Sequence, residues 1–170
     1  MNQVLFENCA LLDVNGGNVL PAHHVLVEND RIVEVSDRPI HANDALKLNI
    51  DGRVLMPGLI DAHVHSTLTT MDLGVMVRKP ITLVMHEARQ ILEGMLARGF
   101  TTVRDAAGAD FGLAQAVENG LIDGPRIFYV GRGLSQTGGH GDWRPLEYDP
   151  QLCSCSINTS WFFHVADGVD

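Results

Sequence analysis

With 170 residues, 45% of them hydrophobic, the chain carries enough apolar material for a sizeable core without disulfide support. A formal charge of -9, from 21 acidic against 12 basic side chains, repels phosphate backbones and anionic headgroups, which argues against nucleic acid or a membrane surface as partner.

From Val4 to Leu48 the sequence reads as short strands separated by turn residues. Asn15-Gly16-Gly17-Asn18 is one turn. The runs His24–Glu28 and Arg31–Val35 alternate apolar and polar residues about Asn29-Asp30, the pattern of a hairpin with Val25, Val27, Ile32 and Val35 facing inward. This β unit is thin for a domain of its own. At Val54 the character changes to the apolar runs Val54-Leu55-Met56 and Leu59-Ile60, broken by Pro57-Gly58, as where a chain enters a buried strand. The expected division is therefore residues 1–53 and 54–170.

Leu83, Val84, Ala88, Ile91, Leu92, Met95 and Leu96 recur every three or four positions, predicting an amphipathic helix from Pro80 to Gly99. Phe100-Thr101-Thr102-Val103 follows as a strand. A second helix fits Phe111–Asn119, and Arg126–Gly131 reads as another buried strand. This order of strand, helix, strand, helix, strand implies a parallel α/β sheet, doubly wound or curled into a barrel. From Gly131 to about Trp161 the chain reads as a long loop, of the kind that is either a functional lid or binding loop or else poorly ordered. No window nears the ~20 apolar residues of a membrane span, and the first residues lack the order of a secretory signal.

Three cysteines, Cys9, Cys153 and Cys155, odd in number and without C-x-x-C spacing, read as reduced thiols of a soluble cytoplasmic protein. A zinc set of Cys153, Cys155 and His164 lacks a fourth ligand. His63 and His65 make the stronger pair: at i and i+2 on a strand, their side chains share a face about 6 to 7 Å apart and can converge on one metal ion. Asp61 shares that face and either orients a ligand or caps the strand. Arg104 and Asp105 read best as a local ion pair. His23, His24, His41 and His86 read as surface residues.

The run Pro57-Gly58-Leu59-Ile60-Asp61-Ala62-His63-Val64-His65 resembles the first barrel strand of the amidohydrolase superfamily. The resemblance continues through Gly99-Phe100-Thr101-Thr102-Val103-Arg104-Asp105 and Gly124-Pro125-Arg126-Ile127. It implies a (β/α)8 barrel with its site at the C-terminal strand ends, where His63 and His65 fall. The first fifty residues look like the N-terminal part of the small β-sandwich that many such enzymes build from both chain termini. Leu134-Ser135-Gln136-Thr137-Gly138-Gly139-His140-Gly141-Asp142 and Val165-Ala166-Asp167-Gly168-Val169-Asp170 look most like the imidazolonepropionase-related branch acting on Xaa-Pro or Xaa-Arg dipeptides and N-acyl amino acids. In that branch a histidine after the third strand contacts the scissile carbonyl, and His140 matches it; the plainer alternative is a solvated loop histidine. Dihydroorotase-like relatives carry an arginine soon after the histidine pair, where Ser66-Thr67-Leu68 stands here.

The resemblance further implies one or two divalent ions, usually zinc, as metal cofactor, a small amide or dipeptide substrate, water activated by the metal, and a homo-oligomer as one possible state. Such a barrel takes ~250 residues, and its remaining ligands come from the fourth, fifth, sixth and eighth strands. The expectation is an N-terminal portion holding three βα units, inactive by itself. A short enzyme completed by another chain and a non-catalytic scaffold that keeps the half-barrel remain open alternatives.

Overall fold

The computed structural model describes residues 2–76, 78–144 and 161–169. Contacts divide the chain into two compact units, residues 1–57 and 58–170.

The first unit is one sheet of five strands, β1 (Gln3–Asp13), β2 (Asn18–Glu28), β3 (Arg31–Ser36), β4 (Leu46–Asn49) and β5 (Val54–Leu55). The order is β3-β2-β1-β4, with β5 also pairing with β1. The hairpin expected about Asn29-Asp30 is present, with Glu28 opposite Arg31. Asn29 takes a φ of 55° there, a left-handed value that asparagine tolerates. Leu5, Leu26, Ile40 and Ala42 form the core.

The inward face differs from the alternation read in the sequence. Val25 is buried, yet Ile32 is 68% and Val35 49% exposed. A register shift between Leu26 and Val27 interrupts the alternation, so Leu26 joins Val25 inside, and β3 lies at the sheet edge. Val54 and Leu55, read as the entry to a buried strand, instead pair in parallel with Ala10 and Leu11 of β1.

In the second unit β6 (Leu59–Val64), β7 (Phe100–Asp105) and β8 (Arg126–Tyr129) form a parallel sheet in that order. A short helix α1 (Leu73–Met76) and the long α2 (Ile81–Ala97) connect β6 to β7, and α3 (Phe111–Glu118) connects β7 to β8. Parallel neighbours need such crossovers, because a tight turn cannot reverse the chain twice. Asp110 caps α3, its Oδ1 accepting from the Leu113 backbone nitrogen at 2.9 Å. Gly99, with a φ of 92°, ends the α2 segment in a conformation other residues avoid.

Val84, Ala88 and Leu92, spaced one turn apart, are the buried residues of α2. The stripe is narrower than the sequence suggests, since Leu83 is 46% exposed. Leu92 and Leu113 meet Val64, Val103 and Ile127 in one cluster, so both longer helices cover the same face of the sheet. Ile60 and Phe128 are therefore exposed, contrary to the reading of these strands as fully buried.

The segment read as a loop from Gly131 to about Trp161 opens with a further strand, β9 (Gly133–Ser135), which pairs in parallel with β10 (Phe163–Val165), Gly133 opposite Phe163. The Phe163 ring occupies space that a side chain would need: a Cβ on Gly133 or Gly141 would lie 2.6 or 2.5 Å from it. Among the described residues no helix is long and apolar enough to cross a membrane.

Candidate functional site

His63 is the fifth residue of β6 and His65 follows its last. The pairing of β6 with β7 slips between Asp61 and Val64, and the two imidazoles stand edge to face with centroids 5.2 Å apart. The i, i+2 spacing thus brings the rings together as expected, closer than an undistorted strand spaces them. His63 is exposed and His65 half-buried. Asp61 Oδ1 accepts from the His63 backbone nitrogen at 3.0 Å, a local cap rather than a bond to either ring.

His65 has a defined partner. Its Nδ1 lies 3.2 Å from the carbonyl oxygen of Ala107, and a carbonyl only accepts, so Nδ1 carries the proton and the Nε2 lone pair stays available. A borderline metal takes such imidazole nitrogens readily. The pair supplies two donors of suitable type, one short of the three protein ligands typical of catalytic zinc. Among the described residues no group of three or more His, Cys, Asp or Glu side chains is placed to hold a metal.

Arg104 and Asp105 do not form the ion pair expected from their adjacency. Successive strand residues point to opposite faces. Arg104 Nε donates to the Ala62 carbonyl at 2.7 Å, whereas Asp105 is fully buried and accepts from Ser66, Ala107 and Ala109. Ser66 carries no sequence signal for this role, because its contact with Asp105 joins residues 39 positions apart.

Aromatic rings continue from the histidines toward His140. His65 packs against Phe162 with centroids 5.7 Å apart, Phe162 against Trp143 at 4.9 Å, and Trp143 against Phe163 at 5.0 Å. His140 meets Phe163 edge to face at 6.4 Å, and its carbonyl accepts from Trp143 Nε1 at 3.1 Å. The His140 imidazole is otherwise exposed. Phe162, fully buried, was not singled out by any motif, although it carries the link between the two histidine groups.

Two carboxylates brace this segment. Arg144, in a two-pronged contact, and the Gly138 backbone nitrogen hold Asp142 far below the usual carboxylate range. The Thr137 hydroxyl and backbone nitrogen hold Asp167 low as well.

Of the other histidines, His41 and His86 are exposed as expected. His24 is half-buried, with an Nδ1 shielded from solvent and without a hydrogen-bond partner, so it is only partly at the surface. Cys9 is buried, its thiol pushed up by desolvation while its Sγ donates to the His23 carbonyl at 3.1 Å. The suggested zinc set lies partly outside the described residues, where Cys153 and Cys155 fall; His164 is exposed on β10.

A parallel β-α-β-α-β unit with a histidine pair at the C-terminal end of its first strand has the layout of a hydrolase site built on strand ends. The amidohydrolase family model matches residues 54–158, more than half of the chain, and the chain belongs to that family. Its members are generally metal-dependent hydrolases.

A prolidase crystallised with N-methylphosphonate-L-proline is 46% identical and superposes with a TM-score of 0.89, over 98% of this chain and 41% of that one. A Xaa-Pro dipeptidase with bound methionine is 25% identical with a TM-score of 0.72, over 88% of this chain and 39% of the other. Ochratoxinase from Aspergillus niger is 38% identical over 93 residues, 52% of this chain and 19% of the relative. The chain spans well under half the length of each of these relatives.

Proposed function

We propose that this chain furnishes the N-terminal part of a metal-dependent hydrolase that cleaves amide bonds of small substrates, Xaa-Pro or Xaa-Arg dipeptides or N-acyl amino acids. The observation that carries the reading is the His63–His65 pair, two imidazoles with centroids 5.2 Å apart at the end of a parallel strand. His63 and His65 would hold a divalent ion, zinc being the usual choice for such donors. When bound, that ion supplies Lewis acidity toward a carbonyl and acidifies water. The chain's own residues do the positioning: the Ala107 carbonyl keeps the proton of His65 on Nδ1, and the Phe162 ring shields one side of the imidazole.

His140 is the candidate donor to the substrate carbonyl, where it would stabilise developing negative charge. Its ring lies in the same aromatic cluster as His65, which supports a role at the same site. Dipeptide substrates are supported by the likeness to a prolidase and a Xaa-Pro dipeptidase.

In this reading β6, β7 and β8 are the first three strands of a (β/α)8 barrel, and residues 1–53 belong to a small β-sandwich completed by later strands. The exposed Ile60 and Phe128 on the sheet, and Ile32 and Val35 in the first unit, support the view that further chain packs there. The fractions of 41% and 39% of the similar structures that the chain covers support partial length. The remaining ligands would then come from the rest of the barrel.

The test is complementation. The chain is co-expressed with the portion of the 46% identical prolidase that it does not match, and hydrolysis of Xaa-Pro dipeptides and bound metal are measured. Activity and tightly bound metal are expected together in the complex, whereas the chain alone, with two histidine donors, is expected to bind metal weakly and to hydrolyse nothing. Both should be lost with His63→Ala/His65→Ala. Metal retained by that double variant would sink the histidine assignment, and a soluble complex without hydrolysis would favour a scaffold.

A further inference from the structure

Asp105 is a fully buried carboxylate whose four hydrogen bonds all come from the chain around the histidine pair. Oδ2 accepts from the Ser66 backbone nitrogen at 2.7 Å and from the Ser66 hydroxyl at 2.6 Å. Oδ1 accepts from the backbone nitrogens of Ala107 and Ala109, each at 3.2 Å. Ser66 is the residue after His65, and Ala107 is the residue whose carbonyl oxygen faces His65 Nδ1 at 3.2 Å. One carboxylate therefore grips both the backbone that carries the imidazole and the backbone that accepts its proton.

We infer that Asp105 is a positioning residue for His65, fixing the Nδ1–H tautomer so that Nε2 is the nitrogen presented to a ligand. The inference rests on the reading of His65 as a ligand of the site. A carboxylate suits the task because every group aimed at it is a donor, and an ionised carboxylate accepts without needing to donate. An amide of the same shape has one acceptor oxygen and one NH2 group, so Asp105→Asn would set an N–H against either Ser66 or the two alanine amides. The backbone at Ala107 would then turn, and the Ala107 carbonyl with it. Neighbouring bonds limit the freedom of that turn without replacing the grip: the Ala106 nitrogen donates to the Val64 carbonyl at 2.9 Å and the Gly108 nitrogen to the Gly131 carbonyl at 2.8 Å. Ligand histidines in general are held by such outer partners, and losing one typically costs roughly 10- to 100-fold in metal affinity.

The experiment is a two-bond proton–nitrogen NMR correlation on the full chain labelled with 15N-histidine, with His65→Gln for assignment and zinc chloride alone as the metal probe. The wild type should show His65 protonated on Nδ1. Asp105→Asn, with amide dispersion retained, should spread His65 over both tautomers, leave His63 unchanged and weaken zinc binding by roughly 10- to 100-fold. Ser66→Ala removes a single donor and, if Asp105→Asn does not fold, should move the same populations by a smaller amount. A wild-type His65 protonated on Nε2, or a folded variant with the wild-type tautomer, overturns the inference. A wild type that shows the Nδ1–H form and binds no zinc leaves Asp105 as the positioning residue and counts instead against the metal reading.

Discussion

Asp167 accepts two hydrogen bonds from Thr137, thirty residues earlier in the chain, one from its backbone nitrogen at 2.8 Å and one from its hydroxyl. The contact ties the residues just beyond β9 to those just beyond β10. With Asp142, held by Arg144 and the Gly138 nitrogen, it makes the order of this segment dependent on two ionised carboxylates.

The pH dependence follows. Both carboxyl groups titrate below the ordinary value of 3.8 in the folded chain. A depressed native pKa contributes stability that is fully present above the unfolded value and is lost as the pH falls through the native one. The segment should therefore hold at neutral pH and loosen only below about 3.8. The two tryptophans of the chain, Trp143 and Trp161, both belong to this aromatic cluster, so intrinsic emission reports on it directly. In an acid titration Thr137→Val should move the red shift toward higher pH, because it removes a bond that lowers Asp167. A midpoint unchanged by the substitution would mean that Asp167 does not govern the segment.

Burial separates two leucines that share one helix. Leu92 is fully buried in the cluster with Val103 and Ile127, whereas Leu83 is 46% exposed. Leu92→Ala removes packed methyl groups and leaves a cavity, which costs about 2 to 5 kcal/mol. Leu83→Ala should cost about 0.5 kcal/mol or less, since alanine is also the better helix former. Urea unfolding of the full chain followed by far-UV circular dichroism compares the two. Equal losses would mean that the exposed side of α2 is covered in solution.

The placement of the candidate histidine pair was legible in the sequence, for reasons that are local. The spacing of His63 and His65 on a strand dictates that their rings share a face, and the periodicity from Val84 to Leu92 marks the covered side of α2. What escaped depends on contacts distant in sequence. The strands β9 and β10 are three residues each, too short to show alternation, and they pair across a long separation. Arg104 and Asp105 look like an ion pair because they are adjacent, while the pleat sends them to opposite faces. The exposure of Ile32 and Val35 depends on what covers the sheet, which no local pattern states.

The α3 cap is a local feature whose contribution can be measured by itself. Asp110 Oδ1 accepts from the Leu113 nitrogen at 2.9 Å, and no other acidic residue lies in the first turn of α3. Asp110→Ala leaves that N–H without its acceptor and should cost about 1 kcal/mol, while Asp110→Ser, which also caps, should restore most of it. Urea midpoints measure both. A serine variant no better than the alanine one would show that the carboxylate acts through its charge on the helix end and not through the cap bond.

Two glycines with similar backbone conformations should respond differently to alanine. Gly99 has a φ of 92° and Gly108 a φ of 105°, so each substitution meets the left-handed penalty of about 1 to 2 kcal/mol. At Gly99 a Cβ would find nothing within 4 Å, and the penalty is the whole cost. At Gly108 the same atom would lie 2.1 Å from Thr67 Oγ1 and 2.6 Å from Phe162 Cε2. Both neighbours are fully buried, and overpacking of this kind adds about 1 to 3 kcal/mol. Phe162 also packs against His65, so Gly108→Ala should displace the imidazole's neighbour as well as lower stability. The checks are urea midpoints for both variants and the His65 ring proton shifts in NMR spectra. Gly99→Ala should leave those shifts where they are, and Gly108→Ala should move them through the altered ring current of Phe162. Unmoved shifts in a folded Gly108→Ala chain would show that the loop over Thr67 yields without disturbing the ring beside His65.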